Sequence, residues 1–167
     1  MGYYIEVKTA PGERVDRAEF LAALDAEPWV KNERYPGDPD ERFPRHSTGT
    51  AFLFDAEFVD VPGEKDTGYS AVEMTYRLTW HCDEEQVYEF VRNLADFCRR
   101  WHLQLMCDSY ENEVLSYEDA AERVSFGYTT NAQSVAEWIS ELKHHLPEGA
   151  SIEAPDLDAW HPENEEE

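Results

Sequence analysis

Apolar side chains recur at Val87, Phe90, Val91, Leu94, Phe97, Cys98 and Trp101, the three- and four-residue spacing that lays one stripe along a helix. Asp83 stands ahead of the stripe with Gln86 three residues on, a capping-box pattern, and Arg99 and Arg100 sit where the helix dipole favours cations. The predicted helix therefore occupies residues 83–101. A shorter one precedes it: Asp16 and Glu19 form a second capping box, Val15 and Phe20 a hydrophobic staple, and Leu21 and Leu24 continue the apolar face until Pro28 ends it.

Elsewhere the period changes to two. Tyr3, Ile5 and Val7 alternate with Tyr4, Glu6 and Lys8; Phe52, Phe54, Ala56 and Phe58 share a face; so do Val72, Met74, Tyr76, Leu78 and Trp80; and Leu103, Leu105 and Cys107 follow the long helix. Strand, helix, strand, strand, helix, strand is the order of a ferredoxin-like βαββαβ sandwich of the α+β class, with both helices on one face of an antiparallel sheet. The other face is left for a partner or a second copy. Val124, Phe126 and Tyr128 predict an extra C-terminal strand, and Thr130 with Gln133 opens a last helix turning Val135, Trp138, Ile139, Leu142 and Leu146 inward.

This gives one domain over residues 1–150, with a long loop at 31–50 and an acidic, disordered tail at 151–167. The loop carries Pro36, Gly37, Pro39, Pro44 and Gly49 and interleaves Tyr35 and Phe43 with Arg34, Arg42 and Arg45. Loops of this length are functional or disordered.

Charge changes the picture most. The 167 residues carry a net charge of −23, while 41% hydrophobic content still permits a core. Such a surface repels nucleic acid and favours a basic protein partner. Ten Arg against four Lys is also what adaptation to high salt would produce. No run of about 18 apolar residues marks a membrane helix. The opening Met1-Gly2-Tyr3-Tyr4-Ile5-Glu6 lacks the pattern of a signal peptide, and the odd cysteine count fits reduced thiols, so a cytoplasmic protein is expected.

Motifs for chemistry are sparse. His81, Cys82, His102 and Cys107 lack zinc-ligand spacing, and Gly63, Lys65 and Thr67 lack the Gly-Lys-Ser/Thr tripeptide of a phosphate loop. The 37 acids guarantee close pairs, so Asp55 with Glu57 reads as exposed sheet surface, and His144-His145 as a helix end. No catalytic residue, metal or cofactor is assigned. Residues 108–122 hold six acids and no base, and within them Tyr110, Glu111, Glu113, Tyr117, Glu118, Asp119 and Glu122 form the expected docking patch. The expected function is a non-catalytic inhibitor, immunity factor or DNA mimic that neutralises a basic nucleic-acid-acting effector or toxin. One alternative is a small enzyme or ligand-binding domain with a pocket lined by Tyr76, Trp80 or Phe52 and the loop arginines. The other is a salt-adapted acidic domain. A homodimer through the free sheet face is a further expectation.

Overall fold

The structure, a computed structural model, describes residues 2–29, 51–59 and 67–145. The predicted loop at 31–50 and tail at 151–167 lie outside the described residues. The elements in chain order are β1 (Tyr3–Thr9), β2 (Val15–Asp16), α1 (Arg17–Asp25), β3 (Ala51–Val59), β4 (Tyr69–Leu78), α2 (Glu84–Trp101), β5 (Leu103–Cys107) and α3 (Ala120–His144). The result is an α+β domain with an open, five-stranded antiparallel sheet and three helices among the described residues. β4 pairs with β1, β2 and β3, and β1 also pairs with β5.

Alternation along the strands decides which face is dry. Tyr3, Ile5 and Val7 of β1, Val72, Met74, Tyr76 and Leu78 of β4, and Leu103, Leu105 and Cys107 of β5 are buried in one core. Phe20 and Leu24 of α1 and Val87, Phe90, Val91, Leu94, Phe97 and Cys98 of α2 fill it from the helix side. Phe20 sets its ring edge-on to Phe97 at 5.6 Å and to Trp101 at 5.3 Å, and Tyr76 meets Phe90 at 5.4 Å. Each large apolar side chain removed from water contributes roughly 1.5–3 kcal/mol.

The capping box of α2 forms as read, while α1 forms only the Asp16 half of its predicted box. Asp83 Oδ1 accepts the Gln86 N–H at 2.8 Å while Gln86 Oε1 accepts the Asp83 N–H at 3.0 Å, satisfying helix-end donors that α2 would otherwise leave open. His102 ends the helix in the left-handed region at φ 55°. At α1, Asp16 Oδ1 accepts the Glu19 N–H at 3.0 Å. Glu27 then ties the helices together, pairing with Arg100 on α2 and accepting the Trp29 Nε1–H at 3.0 Å.

Several expectations are corrected. The apolar row on β3 does not stay on one face. Ala51 and Leu53 lie opposite Leu78 and Tyr76, the register shifts between Leu53 and Asp55, and Ala56 and Phe58 lie opposite Met74 and Val72. This irregularity absorbs one residue, so Phe54 changes face and its ring packs on Tyr4 at 5.5 Å. The extra strand at Val124, Phe126 and Tyr128 is absent: these residues belong to α3, which starts at Ala120 rather than Thr130. Thr130 donates its hydroxyl to the Phe126 carbonyl at 2.9 Å inside the helix and caps nothing. Nor does the far half of α3 turn wholly inward, since Trp138 and Leu142 are exposed.

Candidate docking surface

The acidic segment after β5 is shaped by backbone bonds to that strand. Asp108 donates its N–H to the Tyr4 carbonyl at 3.2 Å and accepts the Tyr4 N–H on Oδ2 at 2.9 Å, which starts the turn at the end of the sheet. Asn112 takes a left-handed φ of 61°, a conformation its short polar side chain tolerates. The chain then returns along β5. Leu115 donates its N–H to the Leu105 carbonyl at 2.9 Å, and the Tyr117 hydroxyl donates to the Leu103 carbonyl at 2.7 Å. Buried Leu115 anchors the loop in the core, and edge-strand carbonyls that would otherwise await a partner are used internally.

α3 rises from this loop. Ser116 Oγ donates to Asp119 Oδ2 at 3.0 Å, and the Ser116 carbonyl accepts the Ala120 N–H at 3.0 Å. Asp119 itself stands at the N-cap in a helical conformation with no side-chain cap bond. Ala120, Ala121, Val124 and Tyr128 turn into the core. Gly127 leaves room for the loop against the helix: a Cβ there would lie 2.3 Å from Ser109 Oγ and 2.9 Å from the Tyr3 hydroxyl. That hydroxyl donates to Ser109 Oγ at 2.8 Å. Burial holds the phenols of Tyr3 and Tyr128 well above their ordinary range, so both act as protonated donors.

The predicted patch residues divide by role. Glu113 is neutralised by Arg123, whose guanidinium makes hydrogen bonds of 2.7 and 3.1 Å to its two carboxylate oxygens and lies 4.1 Å from the centre of the Tyr110 ring. The pairing holds the Glu113 carboxyl below its usual range. Tyr110 and Tyr117 are half-buried, Tyr110 against Arg123 and Tyr117 bonded to β5. Glu111, Glu118, Asp119 and Glu122 are exposed. The pKa of Asp108 is raised, by partial desolvation foremost, opposed by the hydrogen bond from the Tyr4 N–H and reinforced to a lesser degree by the Glu111 charge.

An apolar element of this surface escaped the sequence reading. Phe126, 67% exposed, is the most exposed large hydrophobic side chain among the described residues, and Val114 is 49% exposed. Phe126 lies one turn from both Glu122 and Arg123 on α3, and Val114 directly follows Glu113. Reading 124–128 as a strand put Phe126 in line with Val124 and Tyr128. The spacing of Ala120, Ala121, Val124 and Tyr128 carries the helical signal that would have turned it outward.

The sheet face opposite the helices also carries acids. Glu6, Asp55, Glu57 and Glu73 are exposed on it, and Glu57 lies directly opposite Glu73 across β3 and β4, a like-charge pairing that opposes sheet formation. A concavity of about 470 Å³ there is bordered by Tyr4, Glu6, Lys8, Thr75, Asp108 and Glu111 among others. Of the residues expected to line the alternative pocket, Tyr76 is fully buried and Trp80 stacks on Tyr128 with ring centres 5.6 Å apart. The side chain of Phe52 and the loop arginines lie outside the described residues. Cys107 and Cys98 are buried, and burial pushes the Cys98 thiol well above its ordinary range. Among the described residues no group of three or more His, Cys, Asp or Glu side chains is placed to hold a metal ion. The sequence matches no protein-family model, and no curated protein or solved structure matches the chain.

Proposed function

We propose that this chain is a non-catalytic acidic binding protein that docks on a basic partner through the surface formed by residues 110–126. The reading is carried by one observation: the most exposed large apolar side chain among the described residues, Phe126, lies one helical turn from Glu122 and from the Arg123 that pairs with Glu113. An apolar anchor with a charged rim is the anatomy of a recognition surface, the anchor supplying affinity and the rim supplying encounter rate and partner choice. Glu111, Glu118, Asp119 and Glu122 form the rim, while Glu113, Tyr110 and Tyr117 hold it in shape. The partner is a basic protein, in the first place one that itself binds polyanions, such as a nucleic-acid-acting effector or toxin that this chain would inhibit. The pairing of β3 with β4, β4 with β1 and β1 with β5, with α1 and α2 sharing a core on one face, supports a ferredoxin-like sandwich as the scaffold, with β2 as an addition beside the start of β4.

The test is affinity capture from extract of the native host with the wild-type chain, a Glu111→Lys/Glu118→Lys/Glu122→Lys variant and Phe126→Ala. A basic protein held by the wild type, released as salt rises, lost with the triple reversal and bound at least about tenfold more weakly by Phe126→Ala is the expected result. Undiminished capture by the triple reversal overturns the reading.

A further inference from the structure

Over its first turns α3 buries one face, with Ala120, Ala121, Val124 and Tyr128 in the core. The same face continues through Ala132, Val135, Trp138, Ile139 and Leu142, each three or four residues from another. Among the described residues its surroundings do not continue with it. Tyr128 already meets Thr79 and Cys82, which precede the first residue of α2, so the stripe beyond Tyr128 runs past the end of the helix on which α3 packs. There Trp138 is 53% exposed and Leu142 37% exposed, with Val135 and Ile139 half-buried between them.

We infer that a second copy of this chain covers the stripe, with the far half of α3 from each copy lying side by side. Charge selects this occupant. With a net charge of −23, two copies repel each other at most approaches, and apposed sheet faces would set Glu6, Asp55, Glu57 and Glu73 against their own equivalents. From Thr129 to His144, α3 carries Glu137 and Glu141 against Lys143, so this surface is close to neutral. Glu137 and Glu141 fall in the row of Phe126 and Thr130, away from the stripe. A basic partner drawn by carboxylates finds none in the seam. A second copy finds an apolar surface equal to its own.

The pattern suits self-pairing. Asn131, Val135, Trp138 and Leu142 are spaced by four, three and four residues, the seam spacing of paired helices, with one polar position of the kind that selects register. Residues 129–144 span about 24 Å at 1.5 Å per residue. A contact of that length is smaller than a standard interface, so a reversible dimer in the micromolar range is expected rather than an obligate one.

Sedimentation velocity of the full chain from about 1 to 500 µM, at low salt and in about 0.5 M sodium chloride, tests this. The expected result is the 19.4 kDa monomer at the lowest concentration, doubled mass at the highest, and tighter association in high salt because self-repulsion is screened. Trp138→Glu with Leu142→Glu is expected to weaken the dimer at least tenfold while circular dichroism stays unchanged; should that variant lose helix, Trp138→Gln alone provides the same comparison. A monomer throughout, a dimer indifferent to these substitutions, or one that weakens as salt rises overturns the inference. Phe126→Ala and the acid reversals are expected to leave dimerisation intact, so failure of the partner surface and failure of this one are told apart.

Discussion

The hydroxyl of Tyr128 on α3 accepts the backbone N–H of Cys82 at 3.1 Å and donates to the carbonyl of Thr79. A single side chain thereby joins the last helix to the connection between β4 and α2, with its ring stacked on Trp80 and edge-on to Tyr3 at 5.8 Å. Tyr128→Phe keeps the ring and removes both bonds. It is expected to lower stability by about 1–3 kcal/mol, because a largely enclosed donor and acceptor lose their partner. Chemical denaturation of the two proteins measures the difference.

Gly127→Ala tests how closely α3 must approach the loop. The added methyl meets Ser109 Oγ and the Tyr3 hydroxyl, so the helix must shift, at a cost of roughly 1–3 kcal/mol. Since two of the nearest atoms belong to Ser109, Gly127→Ala with Ser109→Gly is expected to recover part of that loss. Thermal melts of the single and double variants decide it. Equal melting temperatures would show that the close approach is not what Gly127 provides.

Asp108 makes stability depend on pH in a direction that can be worked out. Its folded pKa lies above its ordinary value, so the native state binds the proton more tightly than the unfolded chain. Stability from this group therefore falls as pH rises from the unfolded value near 3.9 through the folded one, and the penalty is complete above it. Asp108→Asn is expected to melt higher than the wild type at pH 7, with the difference closing below about pH 4. Glu113 acts oppositely, because Arg123 depresses its pKa; its contribution is present above the unfolded value and lost as pH falls through the folded one. Comparing melts of Asp108→Asn and wild type across pH isolates the first effect.

Phe126→Ala separates folding from recognition. With 67% of the side chain in solvent, its removal is expected to change folding stability by no more than about 0.5 kcal/mol. A contact at the centre of an interface would lose about 2 kcal/mol or more of binding energy. Denaturation together with titration of the captured partner gives both numbers for one protein.

Long, regular elements were legible from the residues alone. The α2 stripe, its capping box, the alternation of β1, β4 and β5, and the cap of α1 depend on local spacing, and each forms where that spacing puts it. The failures have tertiary causes. At β3 the row of Phe54, Ala56 and Phe58 looked unbroken, but pairing with β4 admits an irregularity after Leu53, and parity changes across it. At α3 Asp119 with Glu122 repeats the spacing of Asp16 with Glu19 but makes no side-chain cap bond, and the rival pattern of Thr130 with Gln133 lies inside the helix. The alternation of Val124, Phe126 and Tyr128 then outweighed the helical spacing from Ala120. Within the acidic segment, sequence could not separate the carboxylate held by Arg123 from exposed ones, since that depends on which side chains meet.

The bonds from Leu115 and Tyr117 to β5 bear on the thermodynamics of association. A loop already immobilised by its own strand surrenders little conformational freedom when another molecule arrives, so the heat and entropy of complex formation would report desolvation and charge pairing far more than ordering.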